Sequence, residues 1–104
     1  MIDYNIEFTK GVLFIRLFGT LSKLNCNDIE FDLVEIIKDG GIKYLVFNIE
    51  DLKIDGDVSL FHDCCEIVKE NGGRMLLCTN KDNYIDDFEL IDDELSAFKV
   101  FSVC

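Results

Sequence analysis

Three groups of residues have types and spacings that suggest chemistry. His62-Asp63-Cys64-Cys65 sets the chain's one histidine beside a carboxylate and two thiols, the parts of a base and a nucleophile. Asp55, Gly56 and Asp57 form an acidic corner with a hydroxyl, Ser59, just beyond it. Asp82, Asp86, Asp87, Glu89, Asp92, Asp93 and Glu94 crowd carboxylates that could attract a cation or a basic surface.

Spacing removes most of this chemistry. Consecutive residues on a helix point about 100° apart, so His62, Asp63 and Cys64 do not face one another. A single histidine beside an apolar stripe has an ordinary role as a boundary imidazole. The five cysteines, Cys26, Cys64, Cys65, Cys78 and Cys104, are odd in number and include no Cys-x-x-Cys pair, so neither a disulfide framework nor a zinc site is expected. The acidic run lacks the loop glycine and closing glutamate of a calcium-binding EF-hand. It reads as a solvated face, with docking of a basic partner as the alternative. No catalytic residue, metal ligand or cofactor is expected, and the chain is not expected to be an enzyme. The acidic corner remains.

That corner sits where a strand feeds a helix, the place where open α/β sheets converge side chains and free backbone amides. Ile2, Tyr4, Ile6 and Phe8 alternate with polar residues, the period-two pattern of a strand with one wet face. "VLFIRLF" follows after Lys10-Gly11 and is apolar except for Arg16, predicting an antiparallel hairpin with a more central second strand. Asn27, with Glu30 three residues on, is the expected N-cap of a helix carrying Ile29, Leu33, Ile36 and Ile37 and stopped by Gly40-Gly41. "YLVFNI" (44–49) is a buried strand of the parallel type. Val58, Phe61, Cys65 and Val68 mark a second helix opened by Asp57 and ended by Gly72-Gly73, and "RMLLCT" is another buried strand. Tyr84, Ile85, Phe88 and Ile91 recur at helical intervals and predict a short third helix, with "AFKVFSV" as the closing strand. The order ββαβαβαβ gives an α/β fold with a mixed four- to five-stranded sheet, and right-handed crossovers place the helices mainly on one face.

Composition bounds the partners. The 104 residues suit one domain, and 49% hydrophobic content separates the chain from disordered acidic sequences despite a formal charge of −11. Such charge repels phosphate backbones and anionic headgroups, so neither nucleic acid nor membrane insertion is expected, and basic protein surfaces are the favoured partners. The first residues have no secretory pattern and no apolar run is long enough to span a bilayer, so the expected setting is a reducing cytoplasm.

"GVLFIRLFGTL", "YLVFNIEDL" and "GGRMLLC", in this order and spacing, resemble the STAS domain of sulfate transporters and anti-sigma factor antagonists, over nearly the whole chain. The resemblance lies in the exit Gly19-Thr20-Leu21, the strand end Glu50-Asp51-Leu52 and the turn Gly72-Gly73. It implies one STAS-like domain over residues 1–104, in a bacterial regulatory protein that binds a kinase-type anti-sigma factor or related regulator. The partner-binding residues would be Ile54, Asp55, Gly56, Asp57, Val58, Ser59 and Phe61. In the antagonist branch a serine in an Asp-Ser-Ser-Gly motif at this corner is the phosphorylation switch. Here three registers place Asp57, Gly56 or Asp55 at that position, and none supplies a hydroxyl. Ser59 is the nearest acceptor for phosphorylation, although a serine in a first helical turn is ordinary. Asp57 likewise serves as an ordinary N-cap. The alternative function is a structural or scaffold STAS subunit of a larger stress-signalling or transport-associated complex. The resemblance also implies a further helix after the last strand. If 97–103 is that strand, the helix is missing, which suits either a truncated stand-alone module or an oligomer that supplies the cover.

Overall fold

The computed structural model describes residues 1–56, 58–79 and 88–101. Strands β1 (Ile2–Thr9) and β2 (Val12–Ser22) form the expected antiparallel hairpin around the two-residue turn Lys10-Gly11. Both turn residues have positive φ, the geometry that matches the natural twist of two strands. Helix α1 (Cys26–Asp39), strand β3 (Tyr44–Asp55), helix α2 (Ser59–Glu70) and strand β4 (Arg74–Cys78) follow. The sheet order is β1-β2-β3-β4-β5, parallel from β2 onward, with β5 at Glu89–Ile91. Among the described residues this is a five-stranded mixed sheet with three helices, the last being α3 (Ser96–Phe101).

The two faces of the sheet are covered unequally. Leu13, Ile15, Leu45, Phe47, Ile49 and Leu77 meet Ile29, Leu33 and Ile37 of α1 and Leu60, Phe61, Cys64 and Val68 of α2 in the larger core. The alternate residues Val12, Phe14, Val46, Leu76 and Cys78 meet Ala97 and Phe101 of α3 on the other face. Burying aliphatic and aromatic side chains of this size contributes about 1.5–3 kcal/mol each, so α1 and α2 are held chiefly by area. The turn between α2 and β4 depends on Gly73. A Cβ there would run into the Lys43 carbonyl, which accepts the Arg74 amide proton at 2.7 Å.

Several expected details differ. Residues 97–101 of the expected closing strand are helical instead, within Ser96–Phe101, whose apolar residues pack against one sheet face at helical spacing, and residues 102 and 103 lie outside the described ones. A helix therefore does follow the last strand. Ile91, assigned above to a third helix, lies in β5, and Phe88 precedes that strand. Tyr84 and Ile85 lie outside the described residues. The α1 N-cap is Asn25, not Asn27; its side chain accepts the Ser22 amide proton at 3.0 Å and donates to the Thr20 carbonyl at 2.9 Å, holding the loop instead of capping the helix. Ile36 is 36% exposed and lies off the buried stripe, which includes Cys26 at its start.

A polar network pins α3 to the sheet. Arg16 Nε and Nη2 donate to the two Glu94 carboxylate oxygens at 2.8 and 2.7 Å. Asn48 Nδ2 donates to Glu94 Oε2 at 2.7 Å, and Glu7 and Asn5 each accept one further Arg16 proton. The Arg16 guanidinium, helped by the Asn48 amide, holds the Glu94 carboxyl below its ordinary value of 4.5. A depressed carboxylate pKa stabilises the fold above the unfolded value and stops doing so as pH falls through the folded one. Glu94→Gln should therefore cost about 1 kcal/mol at neutral pH in chemical denaturation. The gap to the natural chain should close as pH is lowered below 4.5. A gap independent of pH would show that the charge at Glu94 contributes nothing.

Candidate functional site

The corner is delivered by the second half of β3. Its first half points Leu45, Phe47 and Ile49 into the larger core, and continued alternation would bury Asp51, Lys53 and Asp55. Instead the register slips. Arg16 pairs with Asn48 and Phe18 with Asp51, so two steps along β2 match three along β3. This bulge turns Leu52 and Ile54 inward and Asp51, Lys53 and Asp55 to solvent. The Asn48 side chain stabilises it: its Oδ1 accepts the Glu50 amide proton at 3.1 Å while its Nδ2 reaches Glu94. After the bulge the pairing runs on to Ser22 opposite Asp55, which sets the start of the corner beside the end of β2.

Gly56 follows with φ of 103°, a conformation glycine adopts without strain. The helix then begins at Ser59, with Val58 at the cap position and no side-chain cap bond; the Phe61 amide donates to the Val58 carbonyl at 3.1 Å. The cap position expected for Asp57 is thus one residue later, and Asp57 itself lies outside the described residues. Asp55 and Gly56 are exposed, and Ile54, Val58 and Ser59 are partly buried. Phe61 is not available to a partner. It is fully buried, its ring edge-on to Phe47 at 5.1 Å and to Phe88 at 6.3 Å. Residues 60 and 61 hold the first turn of α2 against the sheet while the residues just before them stay at the surface.

The other chemical groupings separate as their spacing requires. His62 is exposed and stacks on Phe88 at 4.8 Å, while Cys64 is buried in the core and Cys65 sits at its edge. Burial pushes the Cys64 thiol up to about 12, helped by the carboxylates of Glu30 and Asp63, and burial does the same to Cys78. Neither thiol is a thiolate near neutrality. In the described part of the acidic run Glu89, Asp92 and Asp93 are exposed, as a solvated face requires, and three of its carboxylates also have partners within the chain. Glu89 pairs with Arg74, Glu94 with Arg16, and Asp93 accepts both the amide and hydroxyl protons of Ser96 at the start of α3. Asp82, Asp86 and Asp87 lie outside the described residues. Among the described residues no cluster of three or more histidine, cysteine, aspartate or glutamate side chains could hold a metal. None of their helices is long and apolar enough to cross a membrane.

A hairpin opening onto a parallel sheet, with two helices on one face, is the STAS-type fold that this chain shares with solved anti-sigma factor antagonists. No family model matches the chain. The anti-sigma factor antagonist SpoIIAA in its unphosphorylated form is 22% identical, with a TM-score of 0.76 over 98% of this chain and 100% of that one. The phosphorylated form of SpoIIAA, the Bacillus cell fate determinant, is similar at 19% identity and a TM-score of 0.69, over 94% and 99% of the two chains. An anti-sigma factor antagonist from Mycobacterium paratuberculosis has a TM-score of 0.81 at 13% identity, over 98% and 95%.

The burial of the thiols gives a direct check. In the native protein at mild alkaline pH, iodoacetamide should modify Cys65 while Cys64 and Cys78 react only after denaturant is added, as mapped by peptide mass spectrometry. Labelling of Cys64 or Cys78 at the rate of Cys65 in the native state would contradict this packing.

Proposed function

We propose that this chain is a non-enzymatic, protein-binding regulatory module of the anti-sigma factor antagonist type, working in a bacterial cytoplasm. Its corner, Ile54 to Ser59, docks a kinase-type anti-sigma factor. One observation carries the reading: in a fold shared with SpoIIAA along its whole length, the surface ahead of α2 is presented to solvent and its sequence contains no hydroxyl from Lys53 to Val58. SpoIIAA has both a phosphorylated and an unphosphorylated form. In this chain the equivalent corner carries Asp55 and Asp57 around a glycine, a negative charge that no kinase adds and no phosphatase removes.

The electrostatics differ from those of a phosphoserine. A carboxylate contributes one charge and a phosphate nearly two, with three strong acceptor oxygens, so a corner built on aspartate repels an acidic or apolar partner surface less. Binding without release is the expected behaviour, with the partner contributing basic or hydrogen-bond-donating groups opposite Asp55. Ser59 sits inside the first helical turn and half out of solvent, a poorer substrate for a kinase than a residue on the loop.

Incubation with a purified kinase-type anti-sigma factor and magnesium-ATP tests the proposal. The natural chain should take up no phosphate and hold its partner equally well with ATP or ADP. Asp57→Ser should become a phosphate acceptor and lose affinity by about tenfold or more once modified. Phosphate on Ser59 of the natural chain, with release of the partner, would restore the ordinary switch and overturn the reading.

A further inference from the structure

Helix α1 carries a second surface that neither the core nor the corner accounts for. Its buried stripe, Cys26, Ile29, Leu33 and Ile37, faces the sheet. On the shoulder beside that stripe Phe31 is 66% exposed, and Val34, one turn on, is partly buried at the edge of the larger core. A shallow cleft of about 450 Å³ runs along this shoulder, lined by Asn27, Glu30, Phe31, Val34, Glu35 and Lys38. From the rise of a helix, these positions span about 16 Å, three turns of a partner helix. Phe31 lines this cleft, and an aromatic seated in a cleft is the usual anchor of a protein contact.

The charge around the anchor selects the partner. Helix α1 carries five carboxylates, Asp28, Glu30, Asp32, Glu35 and Asp39, against a single base, Lys38, and Glu30 and Glu35 line the cleft itself. A second copy of this chain would bring a formal charge of −11 against −11, which disfavours self-association through this face. We infer that the α1 shoulder from Asn27 to Lys38 docks a basic amphipathic helix of another protein, with Phe31 inserted between its apolar residues and the surrounding carboxylates meeting its lysines or arginines. The inference goes beyond the proposed function: it concerns a different surface and a second partner class, so either can fail alone.

The probe is a synthetic amphipathic peptide of about 15 residues, leucine at helical spacing and lysine elsewhere, titrated into the labelled full chain and followed by amide shifts. Shifts should cluster at Asn27 to Lys38, and Phe31→Ser should weaken binding about tenfold or more, as expected for an aromatic anchor. Phe8→Ser removes a phenylalanine that is equally exposed, at 61%, on a different element, and should leave the affinity within about twofold. Both substitutions replace exposed residues, and an unchanged thermal midpoint verifies folding. Three results would overturn the inference: shifts spread over the surface or centred on Ile54 to Ser59, equal effects of the two substitutions, or a dimer of the natural chain that Phe31→Ser dissolves.

Discussion

The Asn48 side chain and its partner Glu94 hold the arrangement on which the rest of the structure depends. One residue more in β3 than in β2 reverses which side chains of β3 face the core, and an extra residue leaves a backbone amide without its ladder partner. Asn48 supplies that partner with its carbonyl oxygen and spends its amide on Glu94, which Arg16 grips with two bonds. The same network therefore stabilises the bulge and docks α3 on the second face of the sheet. Without the bulge, Asp51, Lys53 and Asp55 would enter the apolar core and Leu52 and Ile54 would face water. Burying unpaired charge costs far more than either side chain gains by packing.

From this reversal the corner follows mechanically. β3 runs on to Asp55 beside Ser22, Gly56 turns the chain, and Leu60 with Phe61 locks the first turn of α2 under the sheet's aromatic cluster. What stays outside is a short acidic edge at the carboxyl ends of parallel strands, set on a rigid base. Its described surroundings offer a partner backbone and charge, while the Cys64 and Cys78 thiols are buried and held protonated.

Much of this was legible in the residues. Alternation in 2–8, the apolar run 44–49, the glycine pairs and the helical stripe of α1 all correspond to elements that the structure contains, because in each the local pattern and the final environment agree. The bulge was also legible in principle: Leu45, Phe47 and Ile49 switch to Leu52 and Ile54, a change of parity inside one strand, yet the strand was read only to Ile49. The end of the chain was misread for a different reason. "AFKVFSV" is a short apolar segment that fits strand and helix patterns alike; the contact that decides, Arg16 with Glu94, joins residues far apart in sequence. The place of Phe61 on the helical stripe signals burial, and its proximity to the corner does not override it. Phe31 lies outside the stripe of α1, and an aromatic there is the sequence signal of its exposure.

The account predicts that the exposed residues before α2 are the docking surface and that Phe61 is only their support. Amide hydrogen exchange with and without a kinase-type anti-sigma factor tests this most directly. Peptides spanning residues 53–60 should be protected by a factor of about ten or more in the complex. The amide of Phe61, already bonded to the Val58 carbonyl beneath that surface, should change least. Protection that leaves 53–60 untouched and falls on another face of the molecule would contradict the account.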